Sequence, residues 1–152
     1  MKLGRPSKGL FVDPRLPTSS ACLSLKPHSL NVLLIFYGKR KMSSHTDGKG
    51  NTIWKITNNG EIVFPYTEAL RHGISKKQFV ATLDDLNSKG FIEFTHQGTG
   101  PGDSSTYKLC ERWQAFGKNH FEPAPPRRKN TDPNFGFRGH HRKRKISTKN
   151  GT

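Results

Sequence analysis
The chain has little cysteine, little acid and no long apolar run. Cys22 and Cys110 are its only cysteines, too few for a disulfide framework or a four-cysteine zinc site. Both are expected to be reduced packing residues of an intracellular protein. The longest apolar run, Val32 to Tyr37, falls far short of the roughly 20 residues a membrane helix needs. The N-terminus has no hydrophobic signal region, and Asp13 with the prolines at 6, 14 and 17 spoils an amphipathic transit helix. No membrane partner is expected. Also missing are a nucleotide-binding loop, a G-x-S-x-G elbow, an H-E-x-x-H pair and a Cys-x-x-Cys. No catalytic residue, cofactor or metal ligand is therefore assigned, and the chain is not expected to be an enzyme. Asp84 and Asp85 are no exception: neighbours on a helix point about 100° apart and do not converge on one ligand.

The shortage of acid leaves a large positive excess. Against 26 Lys and Arg stand 11 Asp and Glu, for a formal charge of +15. The excess lies at the ends. Basic residues outnumber acidic by five to one over 1–26, by eleven to eight over 27–117 and by ten to two over 118–152. Cationic ends around a nearly balanced middle suit a polyanion, because each phosphate neutralised releases counterions. The expected phosphate-binding residues are Arg5 and Lys8 in the first segment. In the last they are Arg127, Arg128, Lys129, Arg138, Arg142, Lys143, Arg144 and Lys145. Gly4-Arg5-Pro6 matches the three-residue core of an AT-hook, and Asn134 to Gly139 is a single aromatic-glycine-arginine unit. With an apolar fraction of 31%, a small core with disordered ends is expected.

The middle of the chain carries the most explicit local signals. Ser75 and Gln78 have capping-box spacing, and Ile74 can staple onto Phe79. Phe79, Leu83 and Leu86 form one helical stripe, and Gly90 supplies the stop. Lys89, near that end, complements the helix dipole. Strand-formers follow at 91–94 and 106–109, separated by the glycine-rich string Gln97 to Ser105. Earlier, the spacing predicts a helix over 25–41, a polar loop over 42–51, a hairpin over 54–64 turning at Asn59-Gly60, and a short helix over 65–72. One arm of the hairpin is expected to pair with the later strands. Trp113 and Phe116 are expected to drop onto the core from a final helix starting at Glu111.

A short helix, a turn at Gly73 and a capped second helix make a helix-turn-helix layout. The phrases GEIVFPYTEALRHGIS and FVATLDDLNSKGFIEF closely resemble winged-helix proteins of the MarR-like class, in particular small regulator or replication-type proteins of bacterial prophages and plasmids. The resemblance covers roughly Leu25 to Phe116. It implies an α+β fold: a winged helix-turn-helix, with a three-helix core and a β-hairpin wing, between disordered basic tails. The expected organisation is a basic flexible arm over 1–23, the winged domain over 24–117, and a proline-containing linker with a basic tail over 118–152. It also implies a cytoplasmic, nucleoid-associated protein binding double-stranded DNA as a monomer or homodimer, as a sequence-specific transcriptional regulator. A replication protein of a mobile element, or an RNA- or ribosome-associated protein, is the alternative. The recognition helix would present Ser75, Lys76, Lys77, Gln78, Ala81 and Thr82 to the major groove, with Asp85 also on its solvent face. The wing would present Gln97, Gly98, Thr99, Gly100, Ser104 and Ser105 to the backbone, with Asp103 opposing a phosphate.

Overall fold
A computed structural model describes residues 9–128. Arg5, Lys8, Lys129, Arg138, Arg142, Lys143, Arg144 and Lys145 lie outside the described residues. The described chain is α+β, with four helices and two small antiparallel sheets.

Helix α1, Ser20–Leu23, is started by Ser19, whose side chain accepts the Cys22 N–H. Helix α2, Ser29–Gly38, buries Val32, Leu33 and Phe36 completely. It is shorter than the predicted 25–41, because Lys39 caps it and the chain turns into a strand at Met42. Helix α3, Tyr66–Arg71, begins after an extended Pro65 and ends at His72. Gly73, at φ +77°, then makes the turn into α4, Lys76–Ser88. Both bonds of the Ser75–Gln78 capping box are formed. Ile74 and Phe79 are buried on either side of it, as a hydrophobic staple requires. Gly90, at φ +84°, ends the helix in the left-handed region that favours glycine.

Strands β4, Ile92–His96, and β5, Thr106–Leu109, pair antiparallel, with Ile92 opposite Leu109 and Phe94 opposite Tyr107. A two-residue strand, β3 (Ile62–Val63), pairs with the other edge of β5, so the order across the sheet is β3-β5-β4. Tyr107 and Leu109 point inward and Lys108 outward, the alternation of a sheet with one wet face. The core between sheet and helices is aromatic. Phe36 lies edge-on to Phe64 at 5.2 Å and to Tyr107 at 5.1 Å, and Phe64 is tilted on Phe79 at 5.0 Å. Behind them Phe91 stacks on Trp113, carried by a single 3-10 turn at Arg112–Ala115. Burial of the Tyr107 ring pushes its hydroxyl up to about 12, so it stays neutral across the physiological range.

Three expectations are corrected. The predicted hairpin over 54–64 does not form. The hairpin instead joins β1, Met42–Thr46, to β2, Thr52–Ile56, through the segment expected to be a polar loop. Asn59-Gly60 is a bend in which the Glu61 N–H reaches Asn58 O, and Asn59 is spent on Leu109, donating to its carbonyl and accepting its N–H. Nor is the first segment free as far as residue 23: Leu16 and Ala21 are core residues, and Ser20 Oγ donates to Phe116 O. The last part of the described chain, 118–128, also lies against the body. There Ala124 is buried and Asn87 Nδ2 donates to Pro125 O at 3.0 Å.

Candidate nucleic-acid interface
Helix α4 has one outward stripe, Lys77, Ala81, Asp84 and Ser88, all exposed and spaced four, three and four residues. Lys76 and Gln78 are exposed beside its start, and Lys76 Nζ lies 6.0 Å from the Tyr66 ring centroid. The stripe is narrower than the hydrophobic pattern predicts. Thr82 is only 3% exposed and Asp85 only 6%, so neither is presented on the outer face.

The cause is the approach to α2, which folds over that side of α4. Asp85 Oδ2 accepts the Ser29 hydroxyl at 2.6 Å and the Lys26 N–H at 2.9 Å, while Oδ1 pairs with Lys89 Nζ at 2.7 Å. The Lys89 ammonium also donates to Ser24 O. Thr82, one turn before Asp85, lies on the same side of the helix. Burial works to raise the Asp85 pKa, but the Lys89, Ser29 and Lys26 donors together outweigh it and hold the carboxyl below its ordinary value. The main partner of Lys89 is thus this buried carboxylate rather than the helix dipole. Gln78 is engaged too, since its Oε1 accepts the Ser75 N–H at 3.0 Å and its Nε2 lies 3.5 Å from His28 Nε2.

On the opposite flank the 118–128 segment closes over the helix. Arg127 grips Asp84 with two bonds of 3.0 and 3.1 Å. That pairing raises the Arg127 pKa and commits a guanidinium expected on phosphate. Arg128 N–H donates to Gln97 Oε1 and Gln97 Nε2 donates to Arg128 O, both at 2.9 Å. Gln97 is therefore a clasp for this segment rather than a free donor. Nothing local in the sequence marks either pairing, because the partners are 43 and 31 residues apart.

The loop between β4 and β5 is closed by Asp103. Its Oδ2 accepts both the N–H and the hydroxyl of Thr99 at 3.0 Å, and its Oδ1 lies 2.5 Å from His96 Nε2. The His96 bond, then those from Thr99, hold the Asp103 carboxyl below its ordinary value. Ser105 Oγ accepts the Gly98 N–H at 3.0 Å. A side chain at Gly98 would run into the Asp103 carbonyl, so glycine is there for close approach. The Gly98 and Thr99 amides are thus already paired. Thr99, Gly100 and Ser104 remain exposed at the tip, with Gly98 and Ser105 half-buried beneath it.

Of the expected interface, the fold brings Ser75, Lys76, Lys77, Gln78 and Ala81 together at the exposed start of α4. Thr82 is withdrawn into the interior, and Gln97 and Arg127 are occupied within the chain. No helix among the described residues is long and apolar enough to cross a membrane. Compared with known proteins, the chain matches no family model, no curated protein and no solved structure.

Proposed function
We propose that the chain is a winged helix-turn-helix protein of the MarR-like class that binds double-stranded DNA. In this reading α3 and α4 are the helix-turn-helix, β4 and β5 are the wing, and β3 is the short strand that completes the sheet. The observation carrying it is the Gly73 turn leading to a capped α4 with Lys76 and Lys77 exposed at its leading end, beside a β3-β5-β4 sheet. A helix enters the major groove by its first turn. Lys76 and Lys77 then meet phosphates or guanine edges, and Ala81 meets a thymine methyl. With Thr82 buried and Gln78 held in its capping box, base reading rests on Lys76, Lys77 and Ala81. Thr99, Gly100 and Ser104 lie against the backbone, and the cations outside the described residues add sequence-independent affinity. Occupancy of an operator, as a transcriptional regulator, is the biological role proposed.

The test is selection of bound sequences from random duplexes and from a structured RNA pool in parallel, at matched salt. A duplex motif is expected to emerge, and RNA is expected to lose in competition. Replacing Lys76 and Lys77 by Ala should lower duplex affinity and reduce the salt slope by about 0.9 for each phosphate no longer neutralised. RNA outcompeting the duplex, or an unchanged slope in the double variant, would overturn the reading.

A further inference from the structure
The β1–β2 hairpin stands apart from everything above. None of residues 42–56 belongs to the core cluster or to the shell packed against it. In the hairpin register, Met42 faces Ile56, Ser44 faces Trp54 and Thr46 faces Thr52, and these six side chains share one face. Trp54 is 64% exposed on it, with Met42 at 41%. A large indole left in water has no folding role to explain it. Around it lysines outnumber acids by three to one. Lys41 at the base, Lys49 in the turn and Lys55 on the reverse face are all exposed. Asp47, the only acid between Lys39 and Thr57, is consumed by its own turn. Its Oδ1 accepts the Lys49 and Asn51 N–H groups, and its Oδ2 accepts Asn51 Nδ2.

We infer that the hairpin is a second nucleic-acid site, which holds an unpaired strand by stacking a base on Trp54 and running its phosphates past Lys41, Lys49 and Lys55. An aromatic platform with cations nearby is how single strands are held without sequence preference. The Trp54 face carries only Ser44, Thr46 and Thr52 as polar groups. It lacks the Arg, Asn or Gln with which a β-ribbon reads base edges in a duplex groove. A second copy of the chain fits less well, since it would bring the same lysines against themselves. Helix α2 meets α4 through its start, at Lys26 and Ser29, whereas the hairpin leaves from its end, where Lys41 is bonded to Asn58 and Thr57. The hairpin's own residues make the site, so the proposal does not rest on the reading of the α4 surface.

The experiment uses the full chain, with a labelled single-stranded DNA of mixed sequence and the same sequence as a duplex. Trp113 is buried against Phe91, so fluorescence quenched on adding the single strand reports Trp54. Trp54→Ala should abolish the quenching and weaken single-strand binding about tenfold, within the range for one base stacked on one ring. Duplex affinity and the unfolding midpoint should stay as in the wild type. Lys41, Lys49 and Lys55 changed together to Gln should keep the indole but flatten the salt dependence of single-strand binding. The Lys76/Lys77 double variant should retain single-strand binding, which separates failure here from failure of the duplex reading. The proposal is overturned if both hairpin variants bind the single strand as the wild type does. It is also overturned if Trp54→Ala abolishes self-association in sedimentation while leaving single-strand affinity unchanged.

Discussion
Gly90→Ala is expected to destabilise the protein much more than Gly73→Ala, although both glycines end a helix at nearly the same backbone angle, φ +84° and +77°. An L-residue held there costs about 1–2 kcal/mol, and Gly73→Ala should cost that and little else, because nothing lies within 4 Å of its new Cβ. At Gly90 the Cβ would meet Arg112 Cβ and Trp113 N at 2.7 Å and Arg112 C at 2.8 Å. Two of those three atoms are backbone, held in place because Trp113 N–H donates to Gly90 O. Forcing them apart adds about 1–3 kcal/mol of overpacking, for about 2–5 kcal/mol in all. Urea unfolding followed by far-UV dichroism and by Trp113 fluorescence would measure both variants, provided the slope with denaturant is unchanged. The reasoning fails if the two variants differ by less than roughly 0.5 kcal/mol, the ordinary scatter in comparing independent sites.

Asp85→Ala should cost about 3–5 kcal/mol, because it strands the buried Ser29 hydroxyl and the Lys89 charge in one step. Because the folded-state pKa of Asp85 is depressed from 3.8, its stabilisation is complete above that value and is lost as pH falls through the lower folded value. Acid titration of stability should therefore be flatter in Asp85→Asn than in the wild type. Arg127→Ala should change stability by less than about 1 kcal/mol, as for other partly exposed pairs, yet weaken duplex binding by baring Asp84. Binding measured for Arg127→Ala/Asp84→Ala should recover, and failure to recover would mean that Arg127 touches the nucleic acid itself. Deleting 129–152 should weaken binding and flatten its salt dependence without altering the unfolding midpoint. Deleting 118–152 should also lower the midpoint, since Ala124 leaves its buried site.

Much of the local structure can be read from residues alone. The capping box of Ser75 and Gln78, the staple of Ile74 on Phe79 and the glycine stop at 90 each involve neighbours within five positions; the box and the stop form, and Ile74 and Phe79 are both buried. The β1–β2 hairpin cannot be read this way. Met42-Ser-Ser-His-Thr46 shows no apolar alternation, because neither face of that hairpin packs on the core, so periodicity has nothing to report. Asn59-Gly60 misleads for a related reason: a turn signal fixes a bend, while the pairing of the flanking segments is decided by the sheet. Polarity alone puts Thr82 and Asp85 on the outer face of α4, and polarity is not exposure. What hides them is a segment more than 50 positions away, and its Ser29 and Lys26 donors make burial of a carboxylate tolerable. The start of α4, whose exposure depends on its own turn, is legible; its middle, whose exposure depends on distant chain, is not.

The mutual bonds between Gln97 and Arg128 set the anchorage of a tether. Residues 129–152, with their seven Lys and Arg, are covalently joined to the chain at this clasp, so a polyanion held at the β4–β5 loop would meet them at an effective concentration set by that linkage and not by the amount of protein in solution. Gln97→Ala removes only one hold, since Arg127 on Asp84 and Asn87 on Pro125 still fix the segment that leads to those cations.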